Sequence, residues 1–83
     1  MNCYYVKVLY PDLTLPNAPE LQTIFMVYAA NSEAAIEKGF QFGLAVVREM
    51  MRRNRISPYE IDYAASALVR VIQVKRWQGK ENY

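Results

Sequence analysis

LQTIFMVYAANSEAAIEKGF, residues 21 to 40, changes its period halfway along. From Leu21 to Ala29 it is rich in residues that favour a pleated, half-buried surface: Thr23, Ile24, Phe25, Val27 and Tyr28. Asn31-Ser32-Glu33 then supplies a polar cap with an acid in the first turn, which opens a helix. That helix is expected from about Ser32 to about Asn54. Ile36, Phe40, Gly43, Leu44, Val47 and Met51 fall at i, i+4, i+7, i+8, i+11 and i+15, which is one helical face. Glu33 and Glu37 lie near its start and Arg48, Arg52, Arg53 and Arg55 crowd its end, both in accord with the helix dipole.

On the N-terminal side, Cys3 to Tyr10 is dense in Tyr and Val with a single Lys7, and reads as a strand. Pro11-Asp12 ends it, and residues 11–19, with three Pro and Asn17, read as a loop. On the C-terminal side, Ser57-Pro58-Tyr59-Glu60 has the form of a capping box with Pro at the first helical position. Ile61, Ala64, Ala65 and Leu68 continue at helical spacing, so one or two short turns are expected there. Leu68 to Trp77 reads as the last strand and residues 78–83 as a loose polar tail.

The whole chain, residues 1–83, is thus expected to be a single α+β domain with the order β-β-α-(short α)-β. Strands joined by a loop pair antiparallel, and a right-handed helical crossover returns the third strand beside the first. The sheet order is then 2-1-3, with the most apolar strand in the middle and one long helix packed on one face. The arrangement resembles half of a ferredoxin-like sandwich.

One helix covers one sheet face, and the other face should alternate to polar. Here it does so poorly. Phe25, Val27 and Ala29 point to one side of the second strand, and Ile24, Met26 and Tyr28 to the other. The first strand splits into Tyr4, Val6, Val8 and Tyr10 against Cys3, Tyr5, Lys7 and Leu9. On the helix, Ala35, Gly39, Phe42 and Val46 widen the apolar arc to roughly 200°, about twice what a surface helix needs. The last strand leaves its face open: Arg70 interrupts Leu68-Ile72-Val74, whereas Gln73 and Lys75 interrupt Val69-Val71. A bulge would reconcile them.

Composition narrows the functional classes. Apolar residues make up 53% of the chain, seven residues are Tyr, and net charge is +2. A charge so small implies neither nucleic acid nor membrane by field alone. One Cys, Cys3, excludes a disulfide framework within the chain and fits a reducing compartment. The N-terminus lacks the pattern of a signal peptide, and no apolar stretch approaches the ~20 residues of a membrane helix. A cytoplasmic location is the expectation.

The chemistry-bearing residues point away from catalysis. With no His, no His-dependent triad, base or metal site is available, and Cys3 has no CxxC partner. The acids Asp12, Glu20, Glu33, Glu37, Glu49, Glu60, Asp62 and Glu81 are scattered, and no phosphate-binding loop is present. Neither cofactor nor metal is expected. Gly39 and Gly43, four apart, let the helix approach the sheet or a second helix. The basic cluster Arg48, Arg52, Arg53 and Arg55, with Lys75, Arg76 and Lys80 near the chain end, is either a solvated helix end or an anion contact. Trp77 beside Arg76, with Tyr5 and Lys7 on a sheet face, interleaves aromatic and basic groups as surfaces that stack unpaired bases do.

In size, economy and lack of catalytic chemistry the chain resembles the small proteins that phages and mobile elements encode, including inhibitors of bacterial defence complexes. That resemblance is carried by genre and by no particular residue. It implies a non-enzymatic protein-binding module of the anti-CRISPR kind, with apolar contacts at Phe42, Val46, Tyr28, Met26 and Trp77. The surplus apolar surface also suits a homodimer. The alternative is a nucleic-acid binder that uses Arg48, Arg52, Arg53, Arg55 and Lys75.

Overall fold

A computed structural model describes residues 1–54 and 64–77. It contains β1 (Asn2–Pro11), β2 (Glu20–Ala29), α1 (Ser32–Arg53) and β3 (Arg70–Arg76), with residues 64–68 forming a short helical segment before β3. The three strands form one sheet in the order β2-β1-β3, and both neighbouring pairs are antiparallel. The architecture is the expected α+β arrangement. The last strand begins later than its composition suggests, because Leu68 closes the short helical segment. Arg55, the Ser57–Glu60 capping box and the 78–83 tail lie outside the described residues.

Local chemistry explains the joints. Asn31 is extended, with φ −153°, and its side-chain oxygen accepts from the Ala34 N–H at 2.9 Å, satisfying one of the helix's unpaired donors. At the other end the Asn54 side chain donates to the Leu13 carbonyl at 2.9 Å, tying the helix terminus to the β1–β2 loop. The neck of that loop is closed by the Asp12 N–H donating to the Pro19 carbonyl at 2.8 Å. Within it, the Thr14 N–H donates to the Asp12 carboxylate at 3.0 Å, and Ala18 takes a left-handed φ of 43°. Among the described residues, no helix is long and apolar enough to cross a membrane.

α1 lies on the face of β1 that carries Tyr4, Val6, Val8 and Tyr10, all buried. Val27 and Ala29 of β2, Val69, and Ala65 of the short helical segment complete this core. Small residues decide the contact. The buried stripe of α1 is Ala35, Gly39, Gly43, Leu44, Val47 and Met51, so Gly39 and Gly43 are the points of closest approach. A Cβ at position 43 would sit 2.8 Å from Val69 Cγ1 and 2.9 Å from Val8 Cγ1. Gly43, Leu44, Val47 and Met51 are buried as their spacing predicts, whereas in the first half of the helix Ala35 and Gly39 take the buried places expected for Ile36 and Phe40. Ile36 is exposed and Phe40 half-buried, because two glycines let the backbone settle over β1.

The ambiguity in β3 resolves through a bulge. Lys7 pairs with Gln73 but Val8 pairs with Val71, which leaves Ile72 as the extra residue. Val71 and Val74 thereby both reach the core, while Gln73 and Lys75 go to the open face.

Candidate functional site

Among the described residues, no element covers the side of the sheet away from α1. Its row on β1 is Cys3, Tyr5, Lys7 and Leu9, and its row on β2 is Gln22, Ile24, Met26 and Tyr28. Ile24 is 56% exposed, Met26 54% and Tyr28 62%. Tyr5 sits between Met26 and Lys75 across the strands, and Lys7 between Ile24 and Gln73. Tyr5, Lys7, Ile24, Gln73 and Lys75 line an open depression of about 340 Å³.

The ends of this face are closed differently. At one end the Arg70 guanidinium meets the Glu20 carboxylate at 3.1 Å, from β3 to β2 across β1. The bridge passes at the level of Leu9, which is buried although it belongs to the open face. Both partners are solvated, so the bridge is worth only ~0–1 kcal/mol, and its main effect is to cover apolar surface. At the other end the Trp77 N–H donates to the Cys3 carbonyl at 2.9 Å, extending the β1–β3 pairing by one step. Cys3 thus lies in a row between Tyr28 and Trp77, and its thiol is buried.

The five apolar candidates fall into two groups. Met26 and Tyr28 belong to the open face, and Trp77 continues the β3 row of Gln73 and Lys75. Phe42 and Val46 lie on the helix side. Phe42 is 46% exposed and leans on Phe25 of β2, ring centroids 5.4 Å apart and planes tilted by 42°. Val46, one turn on, is half-buried against the core. β2 therefore has exposed apolar groups on both of its sides.

The basic candidates are not one patch. The Glu49 carboxylate holds Arg52 at 2.7 Å and Arg53 at 3.1 Å, which lowers the net charge of the helix end. Arg48 is half-buried beside them. Lys75 is on the far side of the sheet, next to Tyr5. Its neighbours there are aromatic, apolar and basic groups and the Gln73 amide, with Glu20 as the one acid of the described open face, already paired to Arg70. The convergence of Tyr5, Lys7 and Lys75 escapes a linear reading, because the bulge at Ile72 sets which β3 residues share their face. Ile72, the bulged residue, joins the exposed apolar set, and so does Ile24, which alternation along β2 already places beside Met26 and Tyr28. Among the described residues no group of three His, Cys, Asp or Glu is placed to hold a metal ion.

No protein-family model matches the chain, and comparisons with curated proteins and with solved structures likewise find no match.

Proposed function

We propose that this protein is a non-enzymatic binding module whose contact with protein is built around β2. The observation that carries this reading is the exposed Ile24-Met26-Tyr28 row on one side of β2, with Phe42 on the other. Scattered single apolar residues are ordinary on a protein surface, whereas a continuous row rimmed by polar groups marks a contact. Aromatic anchors carry most of the energy in such contacts. Inhibition of a bacterial defence complex is the narrower form of this reading, supported by size and by the absence of catalytic chemistry in the sequence.

A photo-crosslinking side chain at position 26 or 42 tests it, with position 52 as control. Crosslinks to protein from 26 and 42 but not from 52 support the reading. Equal or absent protein crosslinking at all three positions would sink it.

A second reading is favoured by one specific observation, the approach of Tyr5, Lys7 and Lys75 around one depression. An aromatic ring flanked by two ammonium groups suits a single-stranded nucleic acid, with a base on the ring and phosphates on the lysines. Such binding weakens steeply as salt rises. Salt-insensitive binding, or none, removes this reading.

A further inference from the structure

The two edges of the sheet are defended unequally. β3 carries Arg70, Lys75 and Arg76 in seven residues and is bent by the bulge at Ile72. Charges and bulges of this kind prevent strand addition. β2 is less guarded: its ten residues pair with β1 in unbroken register, it carries no charge after Glu20 and no Pro, and Lys38 of α1 reaches the edge at its end, on the Tyr28 carbonyl. A long, regular, apolar edge is a template for another strand.

The direction of the free backbone groups follows from two hydrogen bonds. Trp77 donates to the Cys3 carbonyl, so the backbone of Cys3 faces β3 and its pair with Tyr28 on β2 is a non-hydrogen-bonded one. Alternation then turns the N–H and C=O of Gln22, Ile24, Met26 and Tyr28 outward. Lys38 on α1 agrees with this, since its ammonium group donates to the outward carbonyl of Tyr28.

We infer that a second copy of this chain docks along this edge, β2 against β2, antiparallel about a two-fold axis near Phe25. The inference rests on the reading that β2 is a protein contact, and it names the partner. Exposed apolar groups lie on both sides of β2, with Ile24, Met26 and Tyr28 below and Phe42 above. A surface pressed on one face would cover only half of them, whereas a strand added in the plane of the sheet brings cover to both.

A second copy fits because the edge is self-complementary. With the axis at Phe25, Ile24 faces the partner's Met26 and Gln22 faces the partner's Tyr28. Antiparallel pairing also sets the Glu20 end of each strand beside the Lys38 end of the other, which brings opposite charges near each other at both ends of the joint. The axis is perpendicular to the sheet. Both helices therefore lie on the same side, and Phe42 and Val46 of each copy face the joint. The product is one six-stranded sheet whose exposed edges are the charged, bulged β3 strands.

The test is the solution mass across a dilution series for the wild-type chain and three variants. Met26→Pro removes an outward N–H and leaves the β1 ladder intact. Ile24→Lys places a charge beside the axis, and Ile72→Lys places one on the same sheet face but at the far strand. Each interface substitution counts twice in a two-fold joint, so a tenfold loss per site reads as about 100-fold in the dissociation constant. The expected result is a wild-type dimer, loss of about that size for Met26→Pro and Ile24→Lys, and no loss for Ile72→Lys. Circular dichroism checks that each variant is folded, and Ile24→Lys, a change at an exposed position, serves alone if the proline variant is not.

A wild-type monomer up to millimolar concentration overturns the inference. If that monomer still crosslinks another protein through position 26, the wider reading of β2 stands and only the second copy is wrong. Equal dissociation by Ile72→Lys and Ile24→Lys also overturns it, since that pattern belongs to face-to-face stacking.

Discussion

Val6 leaves no room for a side chain at position 39. A Cβ there would overlap Val6 Cγ1 and lie 2.8 Å from Val6 Cβ, in the middle of a strand where Val6 is fully buried. Gly39→Ala therefore forces the helix off the sheet. The expected loss is at least ~1–3 kcal/mol, despite the gain in helix propensity. Chemical denaturation measures it. Val6→Ala in the same chain should recover part of the loss, because it removes Cγ1, the first atom in the way. Two strictly additive losses would show that the contact is not what constrains position 39.

Ala18 holds a left-handed φ of 43° at the end of the β1–β2 loop. Residues other than Gly, Asn and Asp adopt that region at a cost of roughly 1–2 kcal/mol. Ala18→Gly removes the cost and loses some of the gain to the greater freedom of the unfolded chain. Thermal unfolding should show net stabilisation of up to ~1 kcal/mol, and a clear drop in melting temperature would contradict it.

The Asn31 side chain accepts from the Ala34 N–H, while its backbone carbonyl accepts from the Ala35 N–H. Asn31→Ala should cost ~1 kcal/mol, and Asn31→Asp should preserve or slightly raise stability, since a negative charge suits the helix N-terminus. The ranking Asp ≥ Asn > Ala in denaturation midpoints is the expected outcome.

If single-stranded nucleic acid binds, the open sheet face rather than the helix end should carry it. Lys7→Ala with Lys75→Ala should reduce oligonucleotide affinity and flatten its salt dependence. Arg52→Ala with Arg53→Ala should do less, because Glu49 already engages both guanidinium groups. Fluorescence anisotropy at two salt concentrations distinguishes the pairs, and the reverse ranking would move the site to the end of α1.

Much of this architecture was legible along the chain. The change of period between Ala29 and Ser32, the proline-rich loop and the polar cap at Asn31 are local signals, because each depends on the conformational preferences of a few adjacent residues. They determine the element order, and the connection rules then leave 2-1-3 as the simplest sheet. The apolar surplus on both sides of β2 was legible for the same reason, since alternation assigns faces within a strand.

Tertiary structure decided what depends on relations between strands and helix. Hydrophobicity favours Ile36 and Phe40 in the first half of the buried stripe, but close approach over Val6 selects Ala35 and Gly39 there, while Gly43, Leu44, Val47 and Met51 are buried as expected. The bulge at Ile72 relieves the conflict between core-facing Val71 and Val74, and so sends Lys75 to the open face beside Tyr5. That placement separates Lys75 from Arg48, Arg52 and Arg53, with which its charge alone would group it. Local preference specifies which residues can form each element, whereas packing specifies which of their side chains meet, because it must satisfy all the elements at once.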